Sequence, residues 1–208
     1  MAPTGSVADD DQLLDLYSRA AVEAGFVGDA DLSAHLANAA VFEVALPADG
    51  PILDLGSGAG LPGLLLARRS STRRIVLLDA SARRCRFLEH WAAQLAPGTE
   101  VVQGRAEVLA RSPELAGVFA AVVARAFGRP AVTAECAVGF LRVSGRLLVS
   151  EPPDSTGERW PEEGLSRLGL QVVERVSGGS TTIQVIERVE VVERYPRSDG
   201  VPAQRPLF

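Results

Sequence analysis

The sequence predicts an α/β protein: a mostly parallel sheet with helices on both faces, closed by an antiparallel hairpin. Three observations carry this. From residue 51 onward, short apolar runs alternate with segments of helical periodicity. A glycine-rich turn, GSGAGLPG at residues 56–63, joins the first such run to the first such helix. Finally, two β-type runs, LQVVERV and TTIQVIERV, are separated only by the turn signal SGGS at residues 177–180.

Each element follows from local pattern. Residues 9–27 place Leu13, Leu16, Ala20 and Ala24 on one helical face, with acidic residues at the start where the helix dipole favours them. Residues 31–46 predict a second helix, capped by Asp31 or Ser33, and PADGP at 47–51 breaks the chain. ILDL then reads as a buried strand, and LPGLLLARR as a helix with Pro62 near its first position. RRIVLLDA is a strand ending in Asp79, and SARRCRFLEHWAAQLA a helix capped by Ser81 and stopped by Gly98. TEVVQG, VFAAVVARA and GRLLVSEP read as strands, RAEVLAR and PAVTAECAVGFLR as helices, and a last helix falls near residues 161–168. Right-handed crossovers between such strands cover a parallel sheet on both faces. The chain divides into a short helical extension (1–48), an α/β core (49–190) and a Pro/Gly/Arg tail (191–208).

Composition fits one soluble domain: 208 residues, 47% hydrophobic and 23% charged. No apolar run approaches the roughly 20 residues of a membrane span, and the DDD run near the start is unlike a signal peptide. A cytoplasmic protein without a membrane partner is expected. Cys85 and Cys136 are too few for a disulfide framework or a zinc site, so no metal is expected. Charge is unevenly placed. Residues 1–50 hold one Arg against nine acidic residues, a net −8; residues 51–150 hold 13 Arg against seven, a net +6; residues 151–208 hold seven Arg against ten, a net −3. Every basic side chain is arginine, whose planar fork suits phosphate and carboxylate and stacks on bases. The basic middle of an acidic chain is the feature that admits a nucleic-acid partner.

The glycine loop can be parsed in two ways. From Gly58 it fits the dinucleotide pattern G-x-G-x-x-G; from Asp54 it fits D-x-G-x-G-x-G, the pattern of S-adenosylmethionine loops. Ligands of such sheets sit beyond the carboxyl ends of the strands, beside the first one. The residues placed there are Asp54–Leu61, Ala80, Arg105–Glu107 and Arg125–Gly128. Asp79, ending the second strand, can accept both ribose hydroxyls of either ligand. A dinucleotide needs a second half-site, for which 208 residues leave little room, and LPGLLL after the glycines lacks a basic residue for a pyrophosphate. The methyl-donor parse, a Rossmann-like class I methyltransferase with a seven-stranded sheet, accommodates both the loop and the terminal hairpin.

DLGSGAGLPGLLLA, LLDASARRCRFLEH, VVQGRAEVLA and VVARAFGRP together resemble the bacterial 16S rRNA guanine-N7 methyltransferases, and the tail RYPRSDGVPAQRPLF resembles that family's C-terminal segment. The similarity covers about residues 51–150 and resumes at 194–208. It implies S-adenosylmethionine held by Gly56, Leu61, Ala106, Glu107 and Arg125; the loop pattern and the end of the second strand add Gly58 and Asp79 as cofactor-binding candidates. It implies further that Arg105 and Arg125 serve in cofactor or RNA handling, and that the partner is 16S rRNA or the small ribosomal subunit. Two stretches depart from the family pattern: AHLANAAVF keeps only His35 of an N-terminal His-x-x-Asp-Ser element, and SEPPD replaces a Lys-Gly after the fifth strand.

The chemistry matches what is present. Guanine N7 has an in-plane lone pair and no proton, so its attack on a sulfonium methyl needs alignment and charge placement but no general base. No His/Asp or Cys/His dyad is evident, and His35 and His90 read as structural or surface residues. Arg125, following an apolar strand, and Arg105 are the candidates for positioning. Arg83, Arg84, Arg105 and Arg197 are the candidates for substrate contact. The Arg83–Arg86 cluster can equally be a solvated helix face with Glu89 as partner of Arg86. The reading is a methyltransferase acting on N7 of a 16S rRNA guanine. The alternatives are a relative acting on a small molecule or protein, or a catalytically silent cofactor-binding protein.

Overall fold

A computed structural model describes residues 7–28, 32–70 and 72–208. The order of elements is α1 (Val7–Glu23), α2 (Leu32–Ala45), β1 (Ile52–Leu55), α3 (Gly63–Arg69), β2 (Ile75–Asp79), α4 (Ala82–Leu95), β3 (Glu100–Gln103), α5 (Ala106–Leu109), β4 (Phe119–Ala124), α6 (Pro130–Val138), β5 (Leu141–Glu151), α7 (Glu162–Ser166), β6 (Leu170–Gly178), β7 (Thr181–Arg188) and α8 (Val201–Gln204). The expected cap at Asp31 lies outside the described residues, and Ser33 falls inside the first turn of α2.

The seven strands form one sheet in the order β3-β2-β1-β4-β5-β7-β6. β1 to β5 are mutually parallel; β7 runs antiparallel between β5 and β6, so the terminal hairpin completes one side of the sheet. Strand order reverses between β1 and β4, which opens a crevice at their carboxyl ends.

β1, β2 and β4 are buried along their whole lengths, as strands covered on both faces must be. Alternate residues feed two separate cores. Ile52, Leu77, Ala121 and Val123 join Phe42, Leu64, Leu88 and Trp91 on the face covered by α1 to α4. Leu53, Leu55, Val76 and Val122 join Ala134, Phe140 and Leu165 on the face covered by α5 to α7.

Helix ends differ from the sequence expectation: α1 stops at Glu23 instead of running to residue 27, and the α6–β5 junction is shifted. α6 stops at Val138 instead of running on through Arg142, because the fully buried Phe140 and Leu141 turn into the sheet, where the Phe140 carbonyl accepts from the Phe119 N–H at 2.9 Å. β5 therefore begins at Leu141 and tolerates a register shift opposite Phe119/Ala121, near Ser144 with φ 62°. Ser81 does cap α4, its side chain accepting from the Arg84 N–H at 3.4 Å.

The first two helices pack against the sheet and α4. Tyr17 of α1 meets Phe87 and Trp91 of α4 at centroid distances of 6.1 and 5.6 Å, while α2 lies against β6 and β7. The far end of the sheet is tied by arginines: Arg73 donates to the carbonyls of Pro47 and Gly50, and Arg74 to Glu100.

Candidate functional site

β1 ends in Asp54–Leu55 and hands over to the glycine loop. Gly56 and Gly58 have φ of 70° and 60°, the left-handed region that side chains resist. A Cβ on Gly56 would lie 2.5 Å from the Phe127 ring, whereas one on Gly58 would meet nothing nearer than 3.9 Å. The first glycine thus admits Phe127, and the second leaves the crevice open.

The loop is held from below and from the side. Buried Asp54 accepts from the Gly63 N–H at 3.0 Å, and Ser57 donates to the Asp54 carbonyl at 2.9 Å. Burial pushes the Asp54 carboxyl up to about 7, against the opposing Gly63 hydrogen bond. From α1, the Tyr17 hydroxyl donates to the Ala59 carbonyl at 2.9 Å, and burial raises its own pKa.

Asp79 braces the other side. One carboxylate oxygen accepts from Gly58 N–H at 2.9 Å, the other from Ser81 N–H at 2.8 Å, and Arg84 Nη1 stands 3.6 Å away. The carboxylate is nearly enclosed, at 5% side-chain exposure, so its first role is to hold the loop and start α4. Each oxygen keeps one lone pair for a further donor such as a ribose hydroxyl.

Three cavities surround this frame. One of ≈330 Å³ lies over the glycine loop, lined by Gly56, Gly58, Leu61, Phe26, Arg84 and Arg125. A second, of ≈200 Å³, shares Gly56 and runs past Ala80, Arg105, Ala106 and Glu107 of α5 to Ala203. The third, of ≈300 Å³, opens toward β5 between Phe127, Thr133, Glu151, Arg159 and Trp160. Arg125 borders the first and third, and Phe127 the second and third.

Arg125 is half-buried, and burial lowers its pKa against the charges of Tyr17 and Asp54. Its Nη1 lies 3.1 Å from Nδ1 of buried His35. A guanidinium can only donate, so His35 Nδ1 is the acceptor and carries no proton there. His35 is therefore a site residue that sequence reasoning missed. Its signal was present: it is the one residue AHLANAAVF retains from the N-terminal element. His90 is exposed on α4, beside Gln94 and Trp91.

Other expected residues find different partners. Arg83 donates to the Ala24 carbonyl at 2.7 Å and lies over the Phe26 ring. Arg105 is shared between Glu107 and Asp199, both at 3.1 Å. Arg197 is clamped onto the fully enclosed Glu135. Among the described residues, no group of three or more His, Cys, Asp or Glu side chains could hold a metal, and no helix is long and apolar enough to cross a membrane.

A glycine loop at the reversal of a 3-2-1-4-5-7-6 sheet, with an acidic residue ending the second strand, defines the Rossmann-like class I methyltransferase fold. Residues 30–155 match the family model described as rRNA small subunit methyltransferase G. The chain is similar to the ribosomal RNA small subunit methyltransferase G of Deinococcus deserti, with 36% identity covering 76% of this chain and 68% of the relative. The same-named protein of Leuconostoc mesenteroides is 31% identical, covering 76% and 70%. In fold it is similar to the T. thermophilus 16S rRNA N2 G1207 methyltransferase solved with AdoMet and guanosine, at a TM-score of 0.53 and 21% identity over 77% of this chain and 40% of that one. The chain belongs to the rRNA small subunit methyltransferase G family, whose members are S-adenosylmethionine-dependent methyltransferases.

Proposed function

We propose that the protein methylates N7 of a guanine in the 16S rRNA of the small ribosomal subunit, and so works in the cytoplasm. The observation that carries the reading is the segment Arg125–Phe127, which borders a cavity over the glycine loop, a second beside α5 and a third toward β5. Donor and acceptor can thus meet across one short backbone segment.

The residues fit S-adenosylmethionine. The open face of Gly58, the two cavities meeting at Gly56 and the small Ala106 leave an elongated space for the amino-acid and adenosine ends of the molecule. Gly56, Gly58, Leu61 and Arg125 would hold the amino-acid side; Asp79, Ala106 and Glu107 would hold the nucleoside side. When bound, the group supplies an electrophilic sulfonium methyl.

The chain's own contribution is orientation and electrostatics. N7 needs no proton removed, so no base is required. His35 fixes Arg125 by accepting its N–H, and Arg125 brings a positive charge to the border between donor and acceptor cavities. The β5 cavity offers Phe127 for stacking and Arg159 for a phosphate or a base carbonyl.

Complementation tests the reading. Expression in bacteria lacking the 16S rRNA guanine-N7 mark is expected to restore it, read by primer extension after cleavage at the methylated base. A folded, S-adenosylmethionine-binding protein that restores nothing would point to another substrate.

A further inference from the structure

The C-terminal tail packs against the second core through Tyr195, Leu207 and Phe208 and is fastened to the α5 cavity. Arg197 gives Glu135 three hydrogen bonds: its backbone N–H and Nε donate to one oxygen at 2.9 and 2.7 Å, and Nη2 donates to the other at 2.6 Å. Nη2 also donates to the Arg205 carbonyl at 2.7 Å, which ties the start of the tail to its end. The Glu135 carboxylate is completely enclosed. A buried carboxylate gripped on both oxygens by a planar fork fixes the rotation of what it holds as well as its distance. Arg111 adds a bond to the Pro196 carbonyl, and Pro196 lies against Gly139, where a Cβ would come within 2.7 Å of its ring.

Past this anchor the tail reaches the cavity. Asp199 pairs with Arg105 at 3.1 Å, Gly200 donates its N–H to Glu107 at 3.3 Å, and Ala203 lines the space shared with Ala106 and Glu107. We infer that residues 195–204 form the outer wall of the adenosine end of the donor site, and that Arg197 is a positioning residue for S-adenosylmethionine binding, not an RNA contact. This rests on the assignment of the α5 cavity to the adenosine end.

Titration calorimetry with S-adenosylhomocysteine tests it, alongside methyl transfer to small subunits lacking the mark. Arg197→Ala is expected to weaken binding about tenfold or more, and the kinetic loss to fall on KM for the donor rather than on kcat. Arg197→Lys, which keeps charge without the fork, should recover part of that loss. Because the alanine variant strands a buried carboxylate, Ala203→Trp serves as a second probe at an exposed position on the cavity wall. It should melt like the wild type and bind about tenfold more weakly. Wild-type-like binding by Ala203→Trp overturns the inference. So does a folded Arg197→Ala that binds normally while its KM for the ribosomal subunit rises. No heat from the wild type itself would sink the donor-site reading, and this one with it.

Discussion

Arg125 donates from Nη1 to Nδ1 of His35 across 3.1 Å, joining the loop after β4 to a helix of the N-terminal extension 90 residues earlier. The guanidinium borders both the glycine-loop cavity and the β5 cavity, so α2 reaches the border where the proposed donor and acceptor would meet. Arg125→Ala is expected to abolish methyl transfer with circular dichroism unchanged, and Arg125→Lys should not rescue it, because a compact ammonium cannot reproduce the planar fork held by His35. His35→Ala removes the acceptor of a charged hydrogen bond, a loss of about 1.5–3 kcal/mol, or roughly 10- to 100-fold in kcat/KM. His35→Gln, whose carbonyl can still accept, should recover part of it. A fully active His35→Ala enzyme would refute the coupling.

Tyr17 reaches the glycine loop from α1 through its hydroxyl bond to the Ala59 carbonyl. Tyr17→Phe keeps the ring packing on Phe87 and Trp91 but leaves that carbonyl unpaired, at a cost of about 1–3 kcal/mol. The expected result is a lower urea midpoint and a higher KM for S-adenosylmethionine. Equal midpoints for the two proteins would show that the bond contributes nothing.

Asp54 gives stability a pH signature. Its carboxyl is raised from 3.8 to about 7 by burial, so the folded state binds a proton more tightly than the unfolded chain. That contribution is complete below pH 3.8, declines as pH rises and is gone above about 7. Asp54→Asn mimics the neutral acid and should gain in stability relative to the wild type as pH rises through that window. Parallel stability–pH curves for the two proteins would show that Asp54 ionises normally.

Glu151 ends β5 with an enclosed carboxylate that accepts from Trp160 Nε1 at 3.0 Å and bonds Ser155 and Arg159 from the following loop. It stands at the β5 cavity, away from the glycine loop. Glu151→Ala is expected to raise KM for the ribosomal subunit and leave the affinity for S-adenosylhomocysteine within about twofold. Equal losses on both would place this corner in the donor site instead.

The sheet, its helices and the glycine loop were legible because they are written in local pattern. Apolar runs a few residues long, the Asp54–Gly63 loop, Asp79 at a strand end and Ala106–Glu107 after the third strand are all set by backbone sterics and periodicity. Boundaries went astray where tertiary burial overrode helical pattern, as at Phe140–Leu141.

The sequence by itself determined that this chain folds as a Rossmann-like methyltransferase and where along it the glycine loop lies. Only the tertiary structure decided which arginines are free. Arg197, a candidate for substrate contact by sequence, is clamped by Glu135, 62 residues away; Arg125, a candidate for positioning whose partner the sequence does not identify, is held by His35. A guanidinium on a long stem carries no periodicity and pairs with whatever carboxylate or ring nitrogen the fold brings within reach. Those partnerships exist only once distant segments are packed together.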